Sequence, residues 1–150
     1  NFMGLAAAVG AVAAQAPDDL IAGVERFGLA LGDALQMLDD LGNLVGDKEP
    51  AKRHEDLVCG RATWPWAWFA EVATPAEWDA AETRLAALRS GMEPPGGLAH
   101  LLHERVGALG RQRASETLHA AFNDLKAVTG PNPLLAGFHS EMMRLEKSYV

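Results

Sequence analysis

The sequence has little that would suit an oxidising compartment or a nucleic-acid partner. Its 150 residues include one cysteine, Cys59, so an internal disulfide is impossible. Thirteen basic residues against 20 acidic ones give a net charge of −7. There is no basic stripe of the kind that binds a phosphate backbone. We therefore expect a cytoplasmic protein without a nucleic-acid partner.

The sequence also lacks an apolar run long enough to span a bilayer. The apolar stretch from Phe2 to Ala16 resembles a secretion signal, and Ala14-Gln15-Ala16 resembles its cleavage site. No basic residue precedes it, so we interpret it as a buried helix. Because the chain starts on Asn1 rather than on methionine, we expect it to begin inside a larger protein.

The composition and the positions of glycine and proline predict one all-α domain over residues 1–150. Hydrophobic residues make up 49% of the chain, and Ala, Leu, Glu and Arg recur in place of β-branched residues. A polar loop that can hold one helical turn is expected over 46–60, and Thr74-Pro75-Ala76-Glu77 reads as a helix start. Glycines and prolines, Gly110 among them, separate the other helices. The helices are expected at about 3–15, 17–45, 65–73, 75–90, 96–109, 113–128 and 133–148.

An acidic stripe lies on the second predicted helix. At about 100° per residue, one narrow face collects polar residues and the opposite half is rich in leucine. Carboxylates at this spacing can present oxygens to one hard cation such as Mg²⁺. A solvated polar face is the alternative explanation. The polar residues of the stripe are Asp33, Gln36, Asp40, Asn43 and Asp47, with Asp39 beside them.

The order of motifs around this stripe resembles the trans-isoprenyl diphosphate synthases. That family carries Phe-Gln, then Asp-Asp-x-x-Asp, Gly-Asp, a lysine and a Gly-Lys-x-Thr-x-Pro-like segment. Residues 1–75 are similar, and the matching segments are Leu35-Gln36, Asp39-Asp40-Leu41-Gly42-Asn43, Gly46-Asp47, Lys52 and Gly60-Arg61-Ala62-Thr63-Trp64-Pro65.

The resemblance implies the C-terminal half of an all-α, antiparallel helical bundle of the class I isoprenoid synthase type. It implies Mg²⁺ held by Asp39, Asp40 and Asn43, with Gln36 lining the cavity beside the catalytic aspartates. Lys52 and Arg61 would bind the substrate diphosphate. The implied reaction condenses isopentenyl diphosphate with an allylic prenyl diphosphate, and the implied assembly is a homodimer.

Departures from the family pattern leave other functions open. Asn43 replaces the third aspartate, Leu35 replaces Phe, and Arg61 replaces Lys. The first aspartate-rich motif is not among the 150 residues, so catalysis would need an N-terminal half or a partner subunit. The alternatives are a non-catalytic subunit of a synthase and a class I terpene cyclase.

Two further groups favour structural roles. Trp64, Trp66, Trp68 and Phe69 suit packing at a helix start or a subunit interface better than stacking on a ligand. His100, His103 and Glu104 lack the His-Glu-x-x-His order of zinc hydrolases, so we expect surface or capping roles.

Overall fold

A computed structural model describes residues 2–45 and 53–149, and both ranges are helical without a strand. The all-α prediction is confirmed. Where helices were expected, the boundaries mostly agree to within two residues. The elements are α1 (Phe2–Ala13), α2 (Asp18–Val45), α3 (Glu55–Val58), α4 (Trp64–Val72), α5 (Pro75–Arg89), α6 (Gly96–Thr129) and α7 (Pro133–Tyr149).

The start of α5 shows how local sequence sets a helix boundary. The Thr74 side chain accepts a hydrogen bond from the Glu77 amide, and the Glu77 carboxylate accepts one from the Thr74 amide. This capping box satisfies two amides that have no partner within the helix. Gly91, with φ of +74°, follows the last turn in the left-handed conformation that ends many helices.

We expect Thr74→Ala to lower the free energy of unfolding by about 1 kcal/mol, because the capping oxygen is lost. Thr83→Ala is the matched control. The Thr83 hydroxyl donates only to the Asp79 carbonyl of its own helix, so its loss should change stability by less than about 0.5 kcal/mol. Urea unfolding of both variants measures the difference, and equal midpoints would contradict the assigned cap.

The predicted break at Gly110 is wrong, since α6 continues through it from Gly96 to Thr129. A Cβ added at Gly110 would lie 2.2 Å from Cζ3 of Trp68 and 2.9 Å from Cδ1 of Leu41. The missing side chain lets the backbone of α6 approach these two residues closely. Glycine is therefore present here for packing and not to end a helix.

The chain forms two compact units, and the first comprises residues 1–36 and 113–150. A Cβ on Gly28 would lie 2.6 Å from the Met3 carbonyl oxygen, so α1 and α2 approach closely at that point. The buried core of this unit contains residues from α2, α6 and α7. These are Phe27, Ala34, Leu118, Ala121, Leu125 and Met142.

The prediction that α1 is a buried helix is wrong for most of its surface. Gly4 is the buried residue among the described positions of α1. The large apolar side chains of Phe2, Leu5, Val9 and Val12 are all more than half exposed. Small residues let one side of α1 pack closely on α2. The large apolar residues lie on the other side of α1, which is exposed.

The second unit comprises residues 37–112 and contains the predicted aromatic cluster. Trp68 and Phe69 are fully buried, and Trp64 stacks on Trp68 with ring centres 5.7 Å apart. The predicted packing role is confirmed for these residues. Arg105 on α6 donates a hydrogen bond to the Val72 carbonyl at 2.6 Å, which satisfies an acceptor at the end of α4.

Within the described ranges, every helix is too short or too polar to cross a bilayer.

Candidate active site

Two consecutive aspartates near the end of α2 have different surroundings. Asp39 is exposed, whereas Asp40 is only 5% exposed. The helical rotation of about 100° between neighbouring residues separates their side chains. Leu38, Leu41 and Leu44 are buried, as the leucine-rich half of the helix predicted.

Asp40 caps the start of α4. Its Oδ2 accepts a hydrogen bond of 2.9 Å from the backbone amide of Trp64, the first residue of α4. Thr63 occupies the ordinary capping position, but its side chain makes no capping hydrogen bond. A carboxylate at this end also interacts favourably with the helix dipole. Together these contacts offset the cost of burying the charge of Asp40.

Asn43 makes a similar contact with α3, one turn further along α2. Its Oδ1 accepts a 3.2 Å hydrogen bond from the amide of Asp56, in the first turn of α3. The Asn43 carbonyl accepts a second bond, of 2.9 Å, from the amide of His54. The side chains of Asp40 and Asn43 thus hold the starts of two successive helices against the end of α2.

His54 completes this attachment. Its Nε2 lies 2.9 Å from the carbonyl oxygen of Leu44 and donates to it, which satisfies an acceptor in the last turn of α2. His54 is the N-cap residue of α3, and its φ of +65° is uncommon for a residue with a side chain. Burial is the main cause that lowers the pKa of His54, and the nearby charge of Arg53 also lowers it. The hydrogen bond to Leu44 acts in the opposite direction, but the net pKa shift is downward.

Arg61 is exposed and pairs with both acidic residues of α3. Its guanidinium lies 2.8 Å from Oδ1 of Asp56 and 3.0 Å from Oε1 of Glu55. The hydrogen bond to Asp56 raises the pKa of Arg61, and the charge of Glu55 adds to this effect. Asn43 is therefore linked to Arg61 through Asp56, whose amide donates to Asn43 and whose carboxylate accepts from Arg61.

The remaining predicted residues lie elsewhere. Gln36 and Asp33 are exposed on α2 and belong to the first unit, residues 1–36 and 113–150. Lys52 and Asp47 lie outside the described residues. In the second unit, hydrogen bonds attach Asp40 and Asn43 of α2 to residues 53–64, the segment that contains Arg61. Asp39 is exposed.

The oxygen atoms at this end of α2 suit a hard cation. Across residues 2–45 and 53–149, no three His, Cys, Asp or Glu side chains come together in a metal-binding group. Mg²⁺ usually binds one or two protein carboxylates and completes its octahedron with water and substrate phosphate oxygens. Asp39 is exposed, and the bond from Trp64 to Asp40 uses Oδ2 of the carboxylate. The side chains of Asp39, Asp40 and Asn43 carry the oxygen donors that Mg²⁺ prefers.

Sequence reasoning missed the two groups that hold this segment in place, the His54 side chain and the Trp64 amide. The amide is a backbone group 24 residues from Asp40, and no side-chain pattern marks it. His54 did carry a signal, because it directly precedes Glu55-Asp56, an acidic pair suited to the first turn of a helix.

His100 and His103 of α6 have the structural roles expected for them. His100 pairs with Glu104 at 3.2 Å on an exposed face. His103 is partly buried, and its Nε2 lies 3.4 Å from a guanidinium nitrogen of Arg111. Burial, followed by the charge of Arg111, lowers the pKa of His103.

Comparison with protein families gives a match that contains the whole aspartate-rich region. Residues 1–91 match the family model described as polyprenyl synthetase, which covers α1 to α5. Comparisons with curated proteins and with solved structures gave no significant match. The matched segment is more than half of the 150 residues and includes Asp39, Asp40, Asn43 and Arg61. The chain belongs to the polyprenyl synthetase family.

Proposed function

We propose that this chain forms one wall of the active site of a prenyltransferase. The reaction would condense isopentenyl diphosphate with an allylic prenyl diphosphate, as members of the family extend isoprenoid chains. The observation that supports it best is the Asp39-Asp40 pair within the family match, with the Asp39 carboxylate exposed and the Asp40 carboxylate held by the Trp64 amide. Residues 1–150 would then be one domain, the C-terminal half of a class I isoprenoid synthase fold.

In this proposal Asp39 and Asp40 hold Mg²⁺, and the amide oxygen of Asn43 adds a neutral ligand. When bound, Mg²⁺ neutralises charge that develops on the departing diphosphate. Asp40 keeps a fixed orientation because the Trp64 amide holds one of its oxygens. Asp39 is exposed and supplies the accessible carboxylate. The Asp56 amide holds the Asn43 oxygen in a fixed position.

The diphosphate would also contact basic and polar side chains. Arg61 presents an exposed planar group that matches phosphate oxygens, and Glu55 and Asp56 hold it until substrate arrives. Lys52 would add a second positive charge, and Gln36 would line the cavity on the same helix as the aspartates. The first aspartate-rich motif would come from an N-terminal half or from a partner subunit, in a homodimer of the complete enzyme.

The test is prenyl transfer by the full-length polypeptide, supplied with isopentenyl diphosphate, an allylic diphosphate and Mg²⁺. We expect elongated product, and we expect Asp39→Asn to lower kcat by about 100-fold or more, because a group that stabilises developing charge is lost. The melting temperature should be unchanged, since Asp39 is exposed.

Asp79→Asn is the matched control, because Asp79 is also an exposed helical aspartate of the second unit but lies on α5. It should leave the rate unchanged. Absence of elongated product over a range of Mg²⁺ concentrations would overturn the proposal. Product formation that depends on a separate synthase, and that Asp39→Asn leaves intact, would instead identify a non-catalytic subunit.

A further inference from the structure

A pair of histidines lies between α6 and α7 in the first unit, residues 1–36 and 113–150. The ring centres of His119 on α6 and His139 on α7 are 6.3 Å apart, and their planes are inclined by 74°. Neither residue belongs to the family match or to the aspartate-rich region. We propose that His119 and His139 together bind a divalent transition-metal ion of the Zn²⁺ class.

The hydrogen bond of His119 leaves one ring nitrogen ready to bind a metal. Nδ1 of His119 lies 2.8 Å from the backbone carbonyl oxygen of Ser115, one turn earlier on α6. A carbonyl oxygen only accepts hydrogen bonds, so Nδ1 carries the proton. Nε2 of the neutral ring then keeps its lone pair. The same arrangement orients and polarises histidine ligands in known metal sites.

His139 is held by packing. Its ring lies against Phe122, with ring centres 4.5 Å apart, and Phe122 packs on the core of the first unit. His139 is therefore partly buried, whereas His119 is exposed. One imidazole is oriented by a hydrogen bond and the other by an aromatic neighbour.

The separation of the rings is within reach of a shared ion. A zinc–nitrogen bond of about 2.1 Å places each ring centre about 3.2 Å from the metal, so the centres of two ligating rings lie at most about 6.4 Å apart. The observed 6.3 Å is at this limit. Closing the pair to the tetrahedral value of about 5.2 Å needs a movement of about 1 Å, which side-chain rotation can supply.

Imidazole nitrogens select the class of metal. They suit Zn²⁺, Cu²⁺ and Ni²⁺, whereas Mg²⁺ prefers oxygen ligands. No third His, Cys, Asp or Glu completes a group in the parts of the chain that the structure describes. Water would fill the other positions, so we expect affinity in the micromolar range, well below that of four-ligand structural zinc sites.

Calorimetric titration of the untagged protein with Zn²⁺ tests the proposal. We expect one ion per chain, a higher melting temperature with Zn²⁺, and at least tenfold weaker binding in His119→Ala and in His139→Ala. Excess Mg²⁺ should not displace the ion, which separates this site from the aspartates of α2. Because His119 is exposed, its replacement should not disturb folding, and circular dichroism checks this for both variants.

His100→Ala is the control, because His100 is also an exposed histidine of α6 but pairs with Glu104. It should bind Zn²⁺ like the unmodified protein. Binding that survives both His119→Ala and His139→Ala, or no binding at micromolar Zn²⁺, would overturn the proposal. The outcome does not depend on prenyl transfer, so failure of one proposal leaves the other standing.

Discussion

Asp40→Ala should lower the free energy of unfolding by about 2 kcal/mol, because it removes the acceptor that caps α4. The substitution relieves the burial of one charge but leaves the Trp64 amide without its oxygen and opens a small cavity. Asp40→Asn should cost less, since an amide oxygen can still accept from Trp64, although it lacks the charge that favours a helix start. Guanidinium unfolding followed by tryptophan fluorescence measures these losses.

The neighbouring residue provides the control. Asp39→Ala changes an exposed side chain on the same helix and should alter stability by less than about 0.5 kcal/mol. The two variants remove the same chemical group from adjacent positions, so a difference between them reports on surroundings alone. Equal unfolding midpoints would show that Asp40 does not stabilise the start of α4.

Gly110→Ala should destabilise the second unit by about 2 kcal/mol or more, despite the higher helix propensity of alanine. The added methyl group would lie 2.2 Å from Trp68, a fully buried side chain, so the ring or the helix must move. Gly42→Ala is the matched control. Gly42 also lies within a helix, but a methyl group added there would meet nothing within 4 Å, so alanine should stabilise by up to about 1 kcal/mol.

A double-mutant cycle can attribute the effect of Gly110→Ala to Trp68. Trp68→Phe removes the part of the indole that carries Cζ3, and it sacrifices no hydrogen bond because Nε1 is buried without a partner among the described residues. In that background Gly110→Ala should cost at least about 1 kcal/mol less than in the unmodified chain. An unchanged cost would mean that the strain lies elsewhere, for example against Leu41.

Local signals explain how much of the fold could be predicted from sequence. The start of α5 follows from Thr74, Pro75 and Glu77, three neighbours whose roles need no tertiary information. The leucine-rich half of α2 likewise predicted the burial of Leu38, Leu41 and Leu44, whereas the burial of Asp40 on the polar stripe was not predicted. Periodicity and capping determine these features, and both act within a few residues along the chain.

The failures come from contacts between residues distant in sequence. A glycine can end a helix or can let another side chain pack closely against the helix backbone. Which of the two occurs depends on the residue that packs against the glycine, and Trp68 is far from Gly110 along the chain. The exposure of Phe2 and Leu5 on α1 similarly depends on partners that composition cannot show.

At the candidate site, the sequence predicted Asp39, Asp40 and Asn43 as a group of metal ligands. It did not show that Asp40 and Asn43 also support the next two helices. Those contacts join side chains of α2 to backbone amides of α3 and α4, and a backbone amide leaves no mark in the residue pattern.

The capping contact of Asp40 affects how related sequences should be interpreted. A relative without prenyl-transfer activity would still need an acceptor for the Trp64 amide, so selection for folding alone would favour an aspartate there. Asp39 has no comparable structural reason to persist, because it is exposed. Among relatives, the residue at position 39 should therefore distinguish active enzymes from inactive homologues better than the residue at position 40.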